Sequence, residues 1–515
     1  MMVVLRGFEV YYMISAWSRY RFPEFNGSLA IPTVGVLKLE QRRKGDSKVK
    51  RTGRFWLALW AGKIISTILK LLGKKGTTFP GKIALGIDPQ LMGQLSRGYT
   101  EGIIMVTGTN GKTTTANLLA QILKAAGKTF AFNQAGANLV TGITGAMLGT
   151  TGWSGKAKAK MALFEVDEAT VPKFCQQVTP QVAIITNFFR DQLDRYGELD
   201  TTIKLVRDAL PGETHLILNA DDPLVAQFGR ERINTLYYGV ERTPESKAYS
   251  TETREARFCP QCGKELVYSL YHYGQLGIYE CPCGYKRPTP PVLAQEVEAV
   301  ESGINFRVDT TNYSIALQGY YNLYNALGAL TAAKRLGIKD REIQKGLQSF
   351  IPQAGRMERF NLPEGKVTLT LVKNPTGFNQ VLRTVLSYRE HPLRLFIGIN
   401  DLAADGRDIS WLWDVDFELL GQEEKRIQRI VCTGLRAEDM AVRLKYAGVP
   451  VERIMLEHDL GKALAKVVEN LTGQEEVFIL PTYTLLFPVR DLLVSKQIDV
   501  NQQKETLPRY QGGEG

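Results

Sequence analysis

The sequence predicts an α/β protein with two successive open-sheet domains, the first holding a phosphate-binding loop and a small zinc-ribbon insertion. Three observations carry this expectation. Between residues 100 and 250, short apolar runs alternate with stretches of helical spacing, and polar residues collect where the runs end. A second alternation follows between Val367 and Leu480. Between the two lie four cysteines in two tight knuckles, Cys259-Pro260-Gln261-Cys262 and Cys281-Pro282-Cys283.

A chain of 515 residues is too long for one core and divides into about three units at the usual domain size. The division expected is a poorly ordered basic extension over 1–54, then a nucleotide-binding domain over 55–350 with the ribbon at about 250–290. A C-terminal α/β domain over 351–500 and a flexible tail over 501–515 complete it. The net charge of +11 is concentrated, because residues 1–75 hold 15 Lys/Arg against 4 Asp/Glu. The remaining body is balanced, which argues against nucleic acid as a partner. Arg6 and Glu9 interrupt the early apolar run, so no secretory signal is expected. The six cysteines form no disulfide framework, which fits a reducing cytoplasm.

Residues 1–50 have no clear period and read as an extension or as sequence upstream of a natural start. Phe55 to Gly73 is helical, and Leu57, Trp60, Ile64, Ile68 and Leu71 share one face with Lys63, Ser66 and Lys70 off it. Three placements stay open for this helix: packed on the next domain, lying on a membrane surface between Arg51, Arg54, Lys74 and Lys75, or spanning a membrane.

The strand Ile103–Val106 runs into Thr107-Gly108-Thr109-Asn110-Gly111-Lys112-Thr113-Thr114-Thr115, and a helix follows over Ala116–Ala126. Strand, glycine turn, Lys-Thr and helix form a phosphate cradle. Backbone N–H groups face the anion, Lys112 reaches the outer phosphates, and the Thr113 hydroxyl serves Mg²⁺. Val106 stands where the full Walker pattern has its first Gly. Met161–Phe164 forms a strand ending at Glu165-Val166-Asp167-Glu168, and Val182–Asn187 another. Leu216–Asn219 is a third, ending in Asp221-Asp222-Pro223. Carboxyl ends of parallel strands form the ligand edge, which makes Glu165 a candidate for Mg²⁺. The Asp221-Asp222-Pro223 group reads equally well as a capped turn.

Cys259, Cys262, Cys281 and Cys283 suit tetrahedral Zn²⁺, and four ligands with no open position make the site structural. The intervening tyrosines, Tyr268, Tyr271, Tyr273 and Tyr279, offer a stacking surface for bases, but few cations accompany them. A small β-ribbon is preferred. Residues 290–320 return as β structure, and Asn322 and Asn325 lie on one face of the following helix. Residues 351–360 connect to the second α/β unit. Its strands are expected at Val367–Val372, Leu395–Ile399, Ile430–Cys432 and Val477–Leu480. The first runs into Lys373-Asn374-Pro375, and the second into Asn400-Asp401 and Asp405-Gly406-Arg407-Asp408.

Several of these residues together resemble the central ATPase domain of Mur ligases: the loop Thr107–Thr115, Glu165, Thr186-Asn187 with Asp191 and Asp194, Asn219–Pro223 and Asn322/Asn325. The four-cysteine insertion and Asp405–Asp408 narrow the resemblance, over roughly residues 55–500, to the MurT branch, the synthetase subunits of lipid II isoglutaminyl synthases. Two departures from ordinary Mur ligases agree with that branch. Gln192 stands where those enzymes commonly carry His, and Lys373-Asn374-Pro375 replaces their Asp-Tyr-Ala-His.

The resemblance implies a Mur ligase-type P-loop ATPase domain joined to a C-terminal α/β domain. It implies ATP-dependent amidation of the D-glutamate α-carboxylate of lipid II to D-isoglutamine through an acyl phosphate. Lys112 would offset phosphoryl charge, with Thr113 and Glu165 on Mg²⁺. Gly108, Thr109, Asn110, Gly111 and Thr114 would line the nucleotide, with Asn322 and Asn325 beside it and Arg356 or Lys373 approaching from the second domain. Asp408 resembles the family's catalytic aspartate, placed to orient ammonium or accept its proton. Glutamine hydrolysis needs an activated Cys beside a His. Only His215, His272, His391 and His458 are present, and no Cys–His motif surrounds Cys175 or Cys432. A separate glutaminase is therefore the expected partner, and the resemblance implies one of the GatD type. Two alternatives stay open: a Mur- or folylpolyglutamate-type ligase that adds an amino acid, and a non-enzymatic ATP-gated zinc module.

Overall fold

The structure, a computed structural model, describes residues 51–505 apart from 74–77, 134–136, 192–197, 251–253, 301, 352–353, 388–390 and 472–474. The extension 1–50, Lys74, Lys75, Gln192, Asp194 and residues 506–515 lie outside the described residues.

Helix α1, Gly53–Leu71, is capped at its start by the Thr52 hydroxyl, which accepts from the Phe55 N–H. Helix therefore begins inside the stretch expected to be disordered up to residue 54. α1 does pack on the domain, but through Phe55, Ala58, Leu59 and Gly62, against α2 (Phe79–Ile87) and the helix Val140–Gly149. The face expected from periodicity is the exposed one: Leu57, Trp60, Ile64, Ile68 and Leu71 are 44–82% exposed. Small residues decide this, since a Cβ on Gly62 would lie 2.7 Å from Leu148 Cδ1. No described helix is long and apolar enough to cross a membrane.

The first sheet contains β1 (Gly102–Thr107), β2 (Phe130–Phe132), β3 (Met161–Glu165), β4 (Val182–Ile185), β5 (His215–Asn219) and β6 (Thr235–Val240). It is completed by β9 (Val292–Val300), β10 (Gly303–Val308) and β11 (Thr311–Ile315), in the order β11-β10-β9-β6-β5-β4-β1-β3-β2. The pairs from β2 to β9 are parallel, and β9-β10-β11 is antiparallel. All residues of β1, β3 and β4 are buried, as strands covered on both faces require. Between β6 and β9 stands the hairpin β7 (Val267–Tyr273) and β8 (Leu276–Glu280).

The second sheet is β12 (Glu358–Asn361), β13 (Lys366–Leu369), β14 (Leu393–Gly398), β15 (Ile427–Thr433), β16 (Ile454–Leu456) and β17 (Glu476–Pro481). Their order is β12-β13-β17-β14-β15-β16, parallel except for β12. The strands β2, β12 and β16, three or four residues each, are too short to show a period in advance. The last helix runs Tyr483–Glu505, five residues into the expected tail.

Candidate active site

β1 lies between β3 and β4, so its carboxyl end opens between theirs, at the point where the chain leaves in both directions across the sheet. The loop after β1 is pinned by β4's continuation. Asn187 Oδ1 accepts from the Asn110 N–H at 2.9 Å, and Thr186 Oγ1 donates to the Asn110 carbonyl at 2.7 Å. The Thr109 hydroxyl donates to the Phe189 carbonyl at 3.2 Å. Gly108, at φ +119°, has to be glycine, because a Cβ there would meet Thr186 Oγ1 at 2.3 Å. Gly111, at φ +82°, allows Asn325 equally close, a Cβ there falling 2.0 Å from Asn325 Oδ1. The helix Lys112–Ala125 then starts at the loop with its N–H groups facing outward.

Thr113 Oγ1 donates to Glu165 Oε1 at 3.1 Å, and Asn138 Nδ2 donates to the same oxygen at 3.1 Å. The Asn133 side chain brackets the Glu165 backbone, accepting from its N–H and donating to its carbonyl. Adjacent ligands of an octahedral Mg²⁺, each at about 2.1 Å, lie about 3.0 Å apart. The Thr113–Glu165 spacing fits that ion without rearrangement.

Lys112 is turned inward. Its Nζ donates to the Gly108 and Thr109 carbonyls and forms a buried ion pair with Glu168, 2.8 Å away. Burial opposes its charge, yet the carboxylates of Glu168, Asp167 and Glu165 hold its pKa above the ordinary value. The Glu168 pKa is also raised, by burial first, with Lys112 working against it. With the ammonium inside a set of acceptors, we describe the pair as ionised. Glu168 was legible only as part of an acidic run after a strand, with nothing in the spacing to mark it as the lysine's partner.

A cleft of about 780 Å³ opens beside the loop, lined by Asn110, Gly111, Thr114, Asn322, Asn325, Arg356 and Lys373 among others. These seven of the expected nucleotide residues come together from both domains, whereas Gly108, Thr109, Lys112 and Thr113 are not part of the cleft lining. Asn325 Nδ2 donates to Asn322 Oδ1 at 3.0 Å, which fixes the amides of both. Burial in the cleft wall pushes the Arg356 guanidinium pKa down, while Glu165 and Tyr321 draw it up. Lys373 pairs with Asp191 across the domains. Asn374 and Asn110 exchange side-chain amide hydrogen bonds of 3.0 and 3.3 Å, a contact the sequence did not announce. Phe189, Tyr273, Leu317, Tyr321, Leu371 and Val381 supply apolar walls suited to a planar base.

The Mur ligase middle domain family matches residues 106–278, and the MurT ligase C-terminal family matches residues 371–486. A Streptococcus pneumoniae protein named lipid II isoglutaminyl synthase (glutamine-hydrolyzing) subunit MurT is 38% identical over 452 residues, covering 86% of this chain and 97% of that protein. A Staphylococcus aureus protein of the same name is 36% identical over 441 residues, covering 85% and 98%. The chain belongs to the MurT family of Mur ligases. In fold it resembles a pseudomurein peptide ligase type C from Methanothermus fervidus (TM-score 0.58, 24% identity, 76% of this chain and 78% of the other). MurF from Acinetobacter baumannii is similar at TM-score 0.58 and 16% identity, covering 81% and 80%.

In this MurT-family chain the four cysteines converge. Cys259 and Cys283 sulfurs are 3.7 Å apart, Cys262 and Cys281 3.5 Å, and all four lie within 4.8 Å of one another. A tetrahedron with metal–sulfur bonds of about 2.3 Å has edges of about 3.8 Å, so the cluster fits Zn²⁺. Within the cluster the Tyr285 N–H, helped by the other thiols, lowers the Cys283 pKa to about 7, while the Cys259 and Cys281 thiols are raised. Tyr268 and Tyr279 are buried in the ribbon and Tyr273 faces the cleft, so the tyrosines form no shared exposed surface for stacking nucleic-acid bases. Tyr279 instead donates to the Ala220 carbonyl, and the far turn of the hairpin places Tyr273 in the cleft wall. Gln275 Nε2 beside it donates to the Phe188 carbonyl at 2.7 Å. The ribbon therefore buttresses the nucleotide cleft.

Two motifs turn out to be structural. Asp222 caps the short helix Pro223–Ala226 through the Leu224 N–H, and buried Asp221 takes Arg287, Tyr324 and the Val240 N–H. Asp405 is buried against Thr484, accepting from its N–H at 2.8 Å and its hydroxyl at 2.6 Å. Asp408 is exposed, accepts from the Ser410 N–H, and lines a separate groove of about 840 Å³ with Trp413, Glu438 and Asp439. It does not line the nucleotide cleft. The 3₁₀ turn Ser410–Asp414 joins the two regions, since Asp414 pairs with Arg190 next to the cleft residue Phe189.

Proposed function

We propose that this chain amidates the D-glutamate α-carboxylate of lipid II to D-isoglutamine, driven by ATP, as the synthetase partner of a GatD-type glutaminase. The observation that carries the reading is the Thr113–Glu165 pair, 3.1 Å apart beside Lys112, next to the loop residues Asn110, Gly111 and Thr114 that line the cleft. The names of the MurT relatives supply the substrate and the ammonia chemistry.

A carboxylate does not react with ammonia, so it is first phosphorylated. Its oxygen attacks the γ-phosphorus of ATP, ADP leaves, and an acyl phosphate remains. Ammonia then adds to the acyl carbon, phosphate leaves, and the amide forms after loss of a proton. The Lys112 ammonium, released from Glu168, follows the charge on the transferring phosphoryl group, and loop N–H groups hold the phosphates. Thr113 and Glu165 would hold Mg²⁺, which supplies charge neutralisation on the phosphate oxygens. Arg356 lines the cleft near enough to Glu165 for the carboxylate to favour its charge, and Lys373 lines the same cleft. Asp408 receives the proton from ammonium in the groove on the C-terminal domain.

An external ammonia source agrees with the burial of both remaining thiols. Burial lifts Cys175 and Cys432 to about 12, so neither is a thiolate nucleophile at neutral pH. The test is reaction of the purified chain and a GatD-type subunit with ATP, glutamine and lipid II, followed by product mass. Amidated lipid II is expected; an amino-acid-extended product overturns the reading. Asp408→Asn should bind nucleotide normally and lose amidation, and unchanged amidation removes Asp408 from the mechanism.

A further inference from the structure

Helix α1 is apolar on two faces, and the fold uses one. Phe55, Ala58, Leu59 and Gly62 are buried against the domain. Leu57, Trp60, Ile64, Ile68 and Leu71 follow the three- and four-residue steps of one helical stripe and are 61%, 44%, 50%, 48% and 82% exposed. At about 1.5 Å per residue the stripe is about 21 Å long. Trp153 extends it sideways: Trp60 Nε1 donates to its carbonyl at 3.3 Å, and Lys63 Nζ sits 5.4 Å from the centre of its half-exposed ring. A contiguous apolar strip of this kind marks an interaction surface.

Charge identifies the occupant. From Arg51 to Ile87 the sequence contains no Asp or Glu and seven Lys/Arg. Arg54, Lys70 and Lys82 are exposed along α1 and α2. A protein partner is met by mixed charges around an apolar centre. An acid-free basic border around leucine, isoleucine and tryptophan matches anionic lipid headgroups above acyl chains. We infer that the exposed face of α1 docks the protein on an anionic lipid surface, lying in the headgroup layer without spanning it. The helix is already folded on its buried side, so docking requires no coil-to-helix transition.

The experiment is co-sedimentation of the full chain with phosphatidylglycerol/phosphatidylcholine vesicles and with phosphatidylcholine vesicles alone. Binding to the anionic vesicles is expected, weaker by about tenfold without the anionic lipid or in ~0.5 M salt. Ile64→Glu/Ile68→Glu should lose about tenfold or more of that binding, with unchanged nucleotide affinity and thermal midpoint as the sign of an intact fold. No binding to anionic vesicles, or equal binding by the double variant, overturns the inference. So does a concentration-dependent dimer in sedimentation equilibrium that the double variant abolishes, since a second copy would then cover the stripe. Vesicle binding is read without catalysis, so its failure leaves the proposed amidation standing, and the converse holds.

Discussion

Asn110 and Asn374 face each other across the two domains, each amide donating to the other's oxygen at 3.3 and 3.0 Å. Asn374 Oδ1 also accepts from the Gly377 N–H at 2.8 Å, at the start of the helix Pro375–Ser387. The phosphate loop and the second domain's first helix are thus joined through one side chain. A double-mutant cycle of Asn110→Ala and Asn374→Ala, read by nucleotide affinity, should give a coupling of about 1 kcal/mol. Additive effects would mean that the pair transmits nothing between the domains.

Lys112→Ala removes the cation that Glu168 is buried against. We expect about 3–5 kcal/mol of destabilisation in chemical denaturation and a ~10²–10³-fold loss of ATP turnover. Adding Glu168→Gln should restore most of the stability and none of the turnover. Restored turnover would show that Lys112 acts only on the fold.

Glu165→Gln keeps an acceptor for Thr113 and Asn138 but loses the charge. The Mg²⁺ concentration needed for half-maximal nucleotide binding should rise by about tenfold or more. An unchanged Mg²⁺ titration would take Glu165 out of the metal's coordination.

Treatment with a chelator, which would remove a zinc held by the four thiolates, or Cys281→Ser, should lower the thermal midpoint and also weaken nucleotide binding. The second effect follows from Tyr273 in the cleft wall and the Gln275–Phe188 hydrogen bond at the ribbon's inner turn. Calorimetry of nucleotide binding checks it, and an apo protein with native affinity would reduce the ribbon to an isolated staple.

Asp222 introduces a pH dependence of stability. Burial lifts its carboxyl to about 7, against backbone N–H groups of Leu224, Phe188 and Val225 that lower it. The unfolded carboxyl titrates near ~3.9, so the folded state holds the extra proton between those values. This contribution is fully present below about pH 4, declines as pH rises, and is gone above about pH 7. Asp222→Asn should remove that slope from unfolding free energy measured between pH 4 and 8, and identical slopes would refute the assignment.

The sequence by itself determined the chemistry that depends on neighbours in the chain. A strand, two glycines and Lys112-Thr113 within a few residues specify a phosphate loop, because backbone N–H groups and a helix start are local objects. Glu165 was legible as a carboxylate at a strand end, and the four cysteines as two knuckles short enough to converge. Tertiary structure alone decided which partners those groups meet. Glu168, 56 residues from Lys112, and Asn374, 264 residues from Asn110, carry no local mark of their pairing. It also decided that Asp405 anchors a helix while Asp408 faces a separate groove. On α1, periodicity pointed to the bulkiest apolar stripe, whereas packing chose the face with Ala58 and Gly62. Close helix approach is limited by the smallest side chains, and which face finds a neighbour depends on residues some 20 to 90 positions away, Ala84 and Leu148 among them.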